Sequence, residues 1–379
     1  MNDIKKIVFL TGTRADFGKL KSLIGTSSQC QNFEVHIFAT GMHLQNEFGY
    51  TVNEIVKSGF SNIHKFSNHT SESSMDLTLA KTIQGLSAFI NEHPVDLIVV
   101  HGDRVETLAG AIVGSLNNIL VGHIEGGEVS GTIDELIRHS VSKLSHIHFV
   151  ANENAKTRLL QMGEIENQIF VIGSPDVDIM FSKNLPRLED ALSYYDIPFQ
   201  SFSIFMFHPV TTEANMEVYA NQLVDAVLED NNNYIVIRPN NDMGSSVINK
   251  ALERLENNSR FITFPSLRFE FFLVLLKHCQ FIIGNSSAGV REAPLYGVPS
   301  IDVGDRQLNR VKANSIIQST YHKNDIVSSI EKTNNLNTKE IHLFGGGNSD
   351  KLFLDLLKSE ELWRIPCQKQ FKDRPLKDK

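Results

Sequence analysis

The stretch Phe281–Arg310, FIIGNSSAGVREAPLYGVPSIDVGDRQLNR, is the one from which the rest of the chain can be read. Phe281-Ile282-Ile283 is a short apolar run of the kind that forms a buried strand. It passes into Gly284-Asn285-Ser286-Ser287-Ala288-Gly289, a turn of small residues, and the pattern then predicts a helix over Ser287–Tyr296. Small residues leave backbone N–H groups uncovered, and a helix starting there points its positive end at the same spot, a combination that binds phosphate. Ser286, Ser287 and Gly289 are the candidate phosphate contacts. Glu292, about one turn into the helix, is placed to accept from two ribose hydroxyls. Pro299-Ser300-Ile301-Asp302-Val303 reads as a further strand and delivers Gly304-Asp305-Arg306 to the same sheet edge. The same residues also fit an ordinary strand–turn–helix with a serine N-cap.

Outward from this stretch, apolar strand-like runs alternate with helical patterns. In the first half strands are expected at Ile7–Thr11, Glu34–Ala39, Leu97–His101, Ile119–His123, His146–Val150 and Ile169–Ile172. Helices fit Leu20–Ser27, Tyr50–Ser58, Met75–Asn91, Val105–Leu116, Ile133–Leu144 and Asn154–Met162. The second half repeats the alternation, with strands near Ser203–Phe207, Tyr234–Ile237, Phe261–Phe264, Phe281–Ile283 and Ser300–Val303. Its helices fit Glu213–Leu228, Ser245–Leu255, Leu267–Lys277, Asp325–Lys332 and Asp350–Lys358, besides the one already named. Between the halves lies Ser174–Gln200, polar and marked by Pro175, Pro186 and Pro198, with one helix expected over Arg187–Tyr194. The fold class is α/β: two Rossmann-like, doubly wound parallel-sheet domains, residues 1–175 and 176–379, with the terminal helical segment a candidate to return to the first. Two such domains are expected to turn their strand C-terminal ends into a shared cleft that holds a ligand.

Composition narrows the function. The 379 residues are 41% hydrophobic and 21% charged, enough for two cores, and the net charge of −8 offers no basic patch for nucleic acid. Cys30, Cys279 and Cys367 form no CxxC pair and no metal spacing. The N-terminal MNDIKKIVFLTG has too short an apolar run for a signal segment, and no stretch reaches the length of a membrane span. The expectation is a soluble, cytoplasmic protein that neither enters a membrane nor binds nucleic acid.

The chemistry collects at predicted strand ends. Thr11–Lys19, TGTRADFGK, is a glycine-containing loop entering a helix but is neither GxxxxGK[ST] nor GxGxxG, which disfavours a nucleotide triphosphatase or a dinucleotide enzyme. Arg14, Gly18 and Lys19 are its candidate contacts to a diphosphate or a sugar ring. His101-Gly102-Asp103-Arg104 leaves one strand, and His123-Ile124-Glu125-Gly126-Gly127-Glu128 the next, followed by Asp134 and Arg138. Carboxylates beside arginine suit proton transfer on a polar substrate. A metal site built on His123 and Glu125 is the rival, but no HExxH is present. In the second half His208, fixed by Pro209, and the run Arg238-Pro239-Asn240 also fall at strand ends.

Taken together, GTRADFGKL, HGDR, HIEGGEVSGTIDELIRHSVSKLSHIHF, FHPVTT, IRPNNDMGS and GNSSAGVREAPLYGVPSIDVGDRQ resemble the hydrolysing UDP-N-acetylglucosamine 2-epimerases from about Lys5 to the last helix. HIEGGEVSGTIDE is the most specific piece, since the non-hydrolysing 2-epimerases carry HxEAGLR there. The resemblance implies a GT-B fold with UDP-N-acetylglucosamine and UDP as ligands, no metal or other cofactor, and a homodimer or homotetramer. It implies a two-step reaction. A base removes the C2 proton while UDP leaves from C1, giving 2-acetamidoglucal, and water then adds to yield N-acetylmannosamine for sialic acid synthesis. On this resemblance the catalytic group is Asp103, Glu125, Asp134, His208 and Arg138. Arg14, Gly18, Lys19, His43, Arg104, His123, Arg238, Asn240, Ser286, Ser287, Gly289, Glu292 and Arg306 bind the nucleotide sugar. Three alternatives stand beside it: hydrolysis of UDP-N,N′-diacetylbacillosamine for legionaminic acid, a GT-B glycosyltransferase, and a non-catalytic binder.

Overall fold

The computed structural model describes residues 4–69, 74–130, 133–210, 213, 215–239, 244–308 and 310–373. The chain divides into two compact units. The first runs to Val129, resumes over Ile133–Ser182 and is completed by Phe344–Lys379, while the second is built on Lys183–Leu343.

The first unit carries a sheet of seven described strands: β1 (Lys5–Thr11), β2 (Phe33–Ala39), β3 (Ile63–Lys65), β4 (Leu97–His101), β5 (Leu120–Ile124), β6 (Ile147–Val150) and β7 (Ile169–Val171). Every pair is parallel, in the order β3-β2-β1-β4-β5-β6-β7. Successive residues of β1 face opposite cores. Ile7 and Phe9 pack with Leu20, Leu23 and Ile24 of the helix Arg14–Ser28, whereas Val8 and Leu10 pack with Leu86 and Phe89 of Met75–Glu92. A strand covered on both faces must be apolar throughout, which is why these strands read as unbroken hydrophobic runs. The helix Ser349–Lys358 adds Phe353 and Leu357 to the first of these cores.

The second unit holds β8 (Ser203–Met206), β9 (Tyr234–Ile237), β10 (Phe261–Phe264), β11 (Ile282–Gly284), β12 (Ser300–Val303) and β13 (Ile316–Ser319), parallel in the order β10-β9-β8-β11-β12-β13. Phe205, Val236, Ile283 and Ile301 meet Leu223 and Val227 from one helix and Ile326 and Ile330 from another. In both sheets the strand order reverses, between β1 and β4 and between β8 and β11. Loops leaving such a reversal point diverge and open a crevice at the carboxyl ends of the strands.

The structure differs from the sequence reading in three places that matter. The helix expected over Ser287–Tyr296 is broken into a single 3-10 turn, Ser287–Gly289, and a four-residue helix, Glu292–Leu295. Pro294 explains the break, because its ring would clash with the carbonyl one turn back if the helix ran through. The stretch read as a linker from Ser174 contains a helix, Pro175–Met180, whose Ser174 and Asp176 are buried in the first unit. The first helix begins at Arg14 rather than Leu20, because Thr13 caps it by accepting from the Asp16 amide.

Candidate active site

In the first unit, the loops after β1, β4 and β5 meet around Glu125. Glu125 follows β5 directly and has a left-handed backbone, with φ of +60°. For a residue with a Cβ this conformation is disfavoured and persists where the surroundings impose it. Here the side chain is anchored on three sides. His101 Nε2 lies 3.1 Å from Oε2, Lys19 Nζ 3.7 Å from the same oxygen, and the Ser174 hydroxyl contacts Oε1. His101 Nδ1 lies 3.0 Å from Asp16 Oδ1, and Asp16 Oδ2 accepts from the Gly12 amide. Lys19 also pairs with Asp176 at 2.9 Å, and Ser174 contacts Asp176 as well. Three carboxylates, a lysine and a histidine thus form one nearly dry cluster. Burial alone would discharge His101, but Asp16 and Glu125 more than offset it and raise its pKa to about 9.

Beside this cluster, Arg138 comes from the helix Ile133–Leu144, is 4% exposed, and pairs with Asp103 while donating to the Glu128 carbonyl at 3.3 Å. Asp134 is half-buried one turn before Arg138 on the same helix face. Arg104 precedes the helix Val105–Leu116 and donates to the buried Glu106 at 3.2 Å, with 42% of its side chain exposed. Arg14 pairs with Glu54, and Gly18 lies half-buried in the helix that both Arg14 and Lys19 share.

Two histidines grouped with the substrate contacts stand elsewhere. His43 has no exposed surface: its ring nitrogens meet the Thr11 and Thr51 hydroxyls at 3.1 and 2.8 Å, and burial lowers its pKa to about 4. His123 is equally enclosed, held by Ser142 at 3.1 Å and the Gly102 carbonyl at 2.8 Å, with burial lowering its pKa to about 3. Both are neutral braces behind the loops rather than groups facing a ligand, because each ring nitrogen already has a protein partner.

In the second unit the loops after β8 and β11 are tied by Asn285. Its side chain accepts from the His208 amide at 2.7 Å and donates to the His208 carbonyl at 2.8 Å. Its own carbonyl accepts from Arg306 at 3.0 Å and from Gln307 at 2.9 Å. Gly284, just before it, has φ of +134°, and a Cβ there would lie 1.8 Å from the Met206 carbonyl oxygen, so the strand end admits only glycine. His208 is 7% exposed with Nδ1 unpartnered; burial and then the Arg306 charge lower its pKa to about 3. At neutral pH it is an uncharged imidazole beside a cation.

The Ser287–Gly289 turn is smaller than the helix end expected from sequence. The amides of Ala288, Gly289, Val290 and Arg291 bond back to Ser286 and Ser287, which leaves the amides of Ser286 and Ser287 at its head as the donors for a ligand. Glu292 is 6% exposed in the short helix that follows. Arg238, after β9, pairs with Glu256 at 3.2 Å. Asn240 lies outside the described residues. The sequence reading missed Asp16, His101, Ser174, Asp176 and Asn285. The first two stood inside the quoted GTRADFGKL and HGDR runs, and only their convergence gives them a role. Among the described residues no three His, Cys, Asp or Glu side chains are grouped so as to hold a metal ion, and no helix is long and apolar enough to cross a membrane.

Comparison with known proteins bears on this geometry. A UDP-N-acetylglucosamine 2-epimerase of Neisseria meningitidis serogroup B is 48% identical over 375 residues, covering 98% of this chain and 99% of its own. The UDP-N,N′-diacetylbacillosamine 2-epimerase (hydrolyzing) of Legionella pneumophila is 33% identical over 362 residues, covering 94% and 96%. The crystal structure of the Methanocaldococcus jannaschii UDP-GlcNAc 2-epimerase, in complex with UDP-GlcNAc and UDP, matches with a TM-score of 0.80 over 93% of this chain and 99% of that one. At 23% identity that match is one of fold, two parallel-sheet α/β domains of GT-B type. The family model for UDP-N-acetylglucosamine 2-epimerase matches residues 26–358, and the chain belongs to that family.

Proposed function

We propose that the chain is a hydrolysing UDP-N-acetylglucosamine 2-epimerase, converting UDP-N-acetylglucosamine and water to N-acetylmannosamine and UDP. The C2 proton is barely acidic, so its removal must be coupled to departure of UDP from C1, and donors must stabilise the leaving diphosphate. Ser286, Ser287 and Arg306 are assigned to the diphosphate, Glu292 to the ribose, and the neutral His208 to the oxygen that departs. Asp103, Glu125 and Asp134 are assigned the proton transfers on the sugar, with Arg138 paired to Asp103.

The observation that carries the hydrolysing assignment is the packing of Gly126. A Cβ at this position would lie 2.7 Å from His123 Nδ1 and 2.9 Å from the Ser142 hydroxyl. The alanine that follows the glutamate in the non-hydrolysing motif HxEAGLR therefore does not fit this loop unless the His123–Ser142 bond is broken. A cytoplasmic protein working as a homodimer or homotetramer agrees with this reading.

The test is proton NMR with UDP-N-acetylglucosamine in D2O without added metal. The expected product is free N-acetylmannosamine carrying deuterium at C2, with UDP released. A UDP-linked product would overturn the hydrolysing assignment, and turnover of UDP-N,N′-diacetylbacillosamine alone would replace the substrate.

A further inference from the structure

The cluster around Glu125 holds more ionisable groups than the proton transfers above require. We propose that His101, oriented by Asp16, is a proton-relay residue acting through Glu125: its Nε2 proton passes to Glu125, which delivers a proton to C2 in the hydration step. This role rests on the proposed reaction and goes beyond it.

Inversion at C2 makes the demand. The proton leaves one face of the ring and arrives on the other, so the group that removes it is not the group that returns one. The returning group must be loaded with a proton beforehand. Glu125 does not stand alone, because His101 and Lys19 both approach Oε2. The donor beside it is the imidazole, 3.1 Å away through Nε2, with Nδ1 fixed 3.0 Å from Asp16. Each ring nitrogen faces a carboxylate oxygen, so both carry hydrogen and the ring is an imidazolium. The groups facing it are Asp16 from the first helix and Glu125 just after β5, with Lys19 and Asp176 behind Glu125 and the neutral His123 on β5 itself.

The Ser174 hydroxyl contacts both Glu125 Oε1 and Asp176 Oδ1, tying the two carboxyls into the same cluster.

The Nε2–H bond breaks as an O–H bond forms on Glu125, and that O–H bond breaks as C2–H forms. The positive charge left at C1 takes hydroxide from water, and the second proton of that water returns through solvent to the ring.

The test follows 2-acetamidoglucal and N-acetylmannosamine together by NMR, from about pH 6 to about pH 10, for the wild type, H101Q and D16N. In the wild type, N-acetylmannosamine formation should fall as the pH rises through about 9, where the ring loses its proton. H101Q should release UDP with the unsaturated sugar accumulating, its ratio to N-acetylmannosamine raised on the order of 10²-fold, and without that alkaline limb. D16N, which keeps the ring but removes one carboxylate, should move the limb to lower pH. Nitrogen-15 NMR of the wild-type ring near neutral pH should show both nitrogens protonated, and this reading does not depend on H101Q folding. A singly protonated ring, an unmoved limb in D16N, or an H101Q enzyme with the wild-type product ratio overturns the relay alone. A wild-type enzyme that releases no UDP overturns the reaction instead.

Discussion

Asn285 shows how much one side chain can organise. It is fully buried and joins two loops through paired bonds to the His208 backbone. Replacing it by alanine leaves a buried N–H and C=O without partners. Asn285→Ala should therefore lose about 2–4 kcal/mol of stability in urea unfolding and weaken UDP binding. Asp302, at the end of β12, makes a contrary prediction. Burial raises its carboxyl pKa to about 7, against the pull of Gln318, Arg306 and Arg310. The folded state therefore binds this proton more tightly than the unfolded chain does. Its stabilising effect is complete below the unfolded carboxyl pKa and is lost as the pH rises through about 7. Asp302→Asn should be close to neutral near pH 4 and stabilising near pH 8, on the order of 1–3 kcal/mol, in paired thermal melts. At this scale the sequence was legible where residue type alone signals chemistry, as in HGDR and HIEGGE. It misled where burial decides: His43 and His123 look like ligands on paper, and only their enclosure shows them as braces.

The helix Ile133–Leu144 carries Asp134 and Arg138 near its start and is clasped at its other end by the tail of the chain. Lys369 Nζ donates to the carbonyls of Ser142, Lys143 and Ser145 at 2.8, 3.0 and 2.7 Å and pairs with the buried Glu164. A cation at a helix C-terminus satisfies the last carbonyls and complements the dipole. Lys369→Met keeps much of the apolar stem but leaves Glu164 with less positive charge around it, so a loss of about 3 kcal/mol is expected. Hydrogen exchange should quicken at the amides of residues 141–146 and reach back toward Arg138. No change there would mean the clasp is incidental. Most elements were legible from periodicity, since apolar strands covered on both faces announce themselves. The edge strands β3 and β13 were not, being short and only partly buried. The helix Pro175–Met180 was hidden because its proline and acidic residues imitate a linker.

Each of the two units has a core of its own, so urea unfolding should show two transitions. The residues assigned to UDP lie in the second unit, so UDP should shift that unit's transition first. At a free concentration one hundred times its dissociation constant, the stabilisation should be about 2.7 kcal/mol. A shift confined to the other transition would reassign the nucleotide. Composition and alternation sufficed to anticipate two parallel sheets, but no local pattern marks which sheet a distant helix will cover.

The distant helix that completes the first unit shapes how the protein is made. Phe353, Leu357 and Leu362 belong to the core beneath β1 and β4, yet they are translated only after the whole stretch Lys183–Leu343 of the second unit. Domains usually mature in the order of their synthesis. Here the second unit lies almost wholly in one uninterrupted stretch and can close while the first still lacks part of its interior. The half of the protein that is begun first is the half that is finished last. Until residues 344–362 have been made, the face of its sheet awaiting Phe353 stays open to chaperones, and a premature stop just before Phe344 would release a chain with one sound unit and one unsealed.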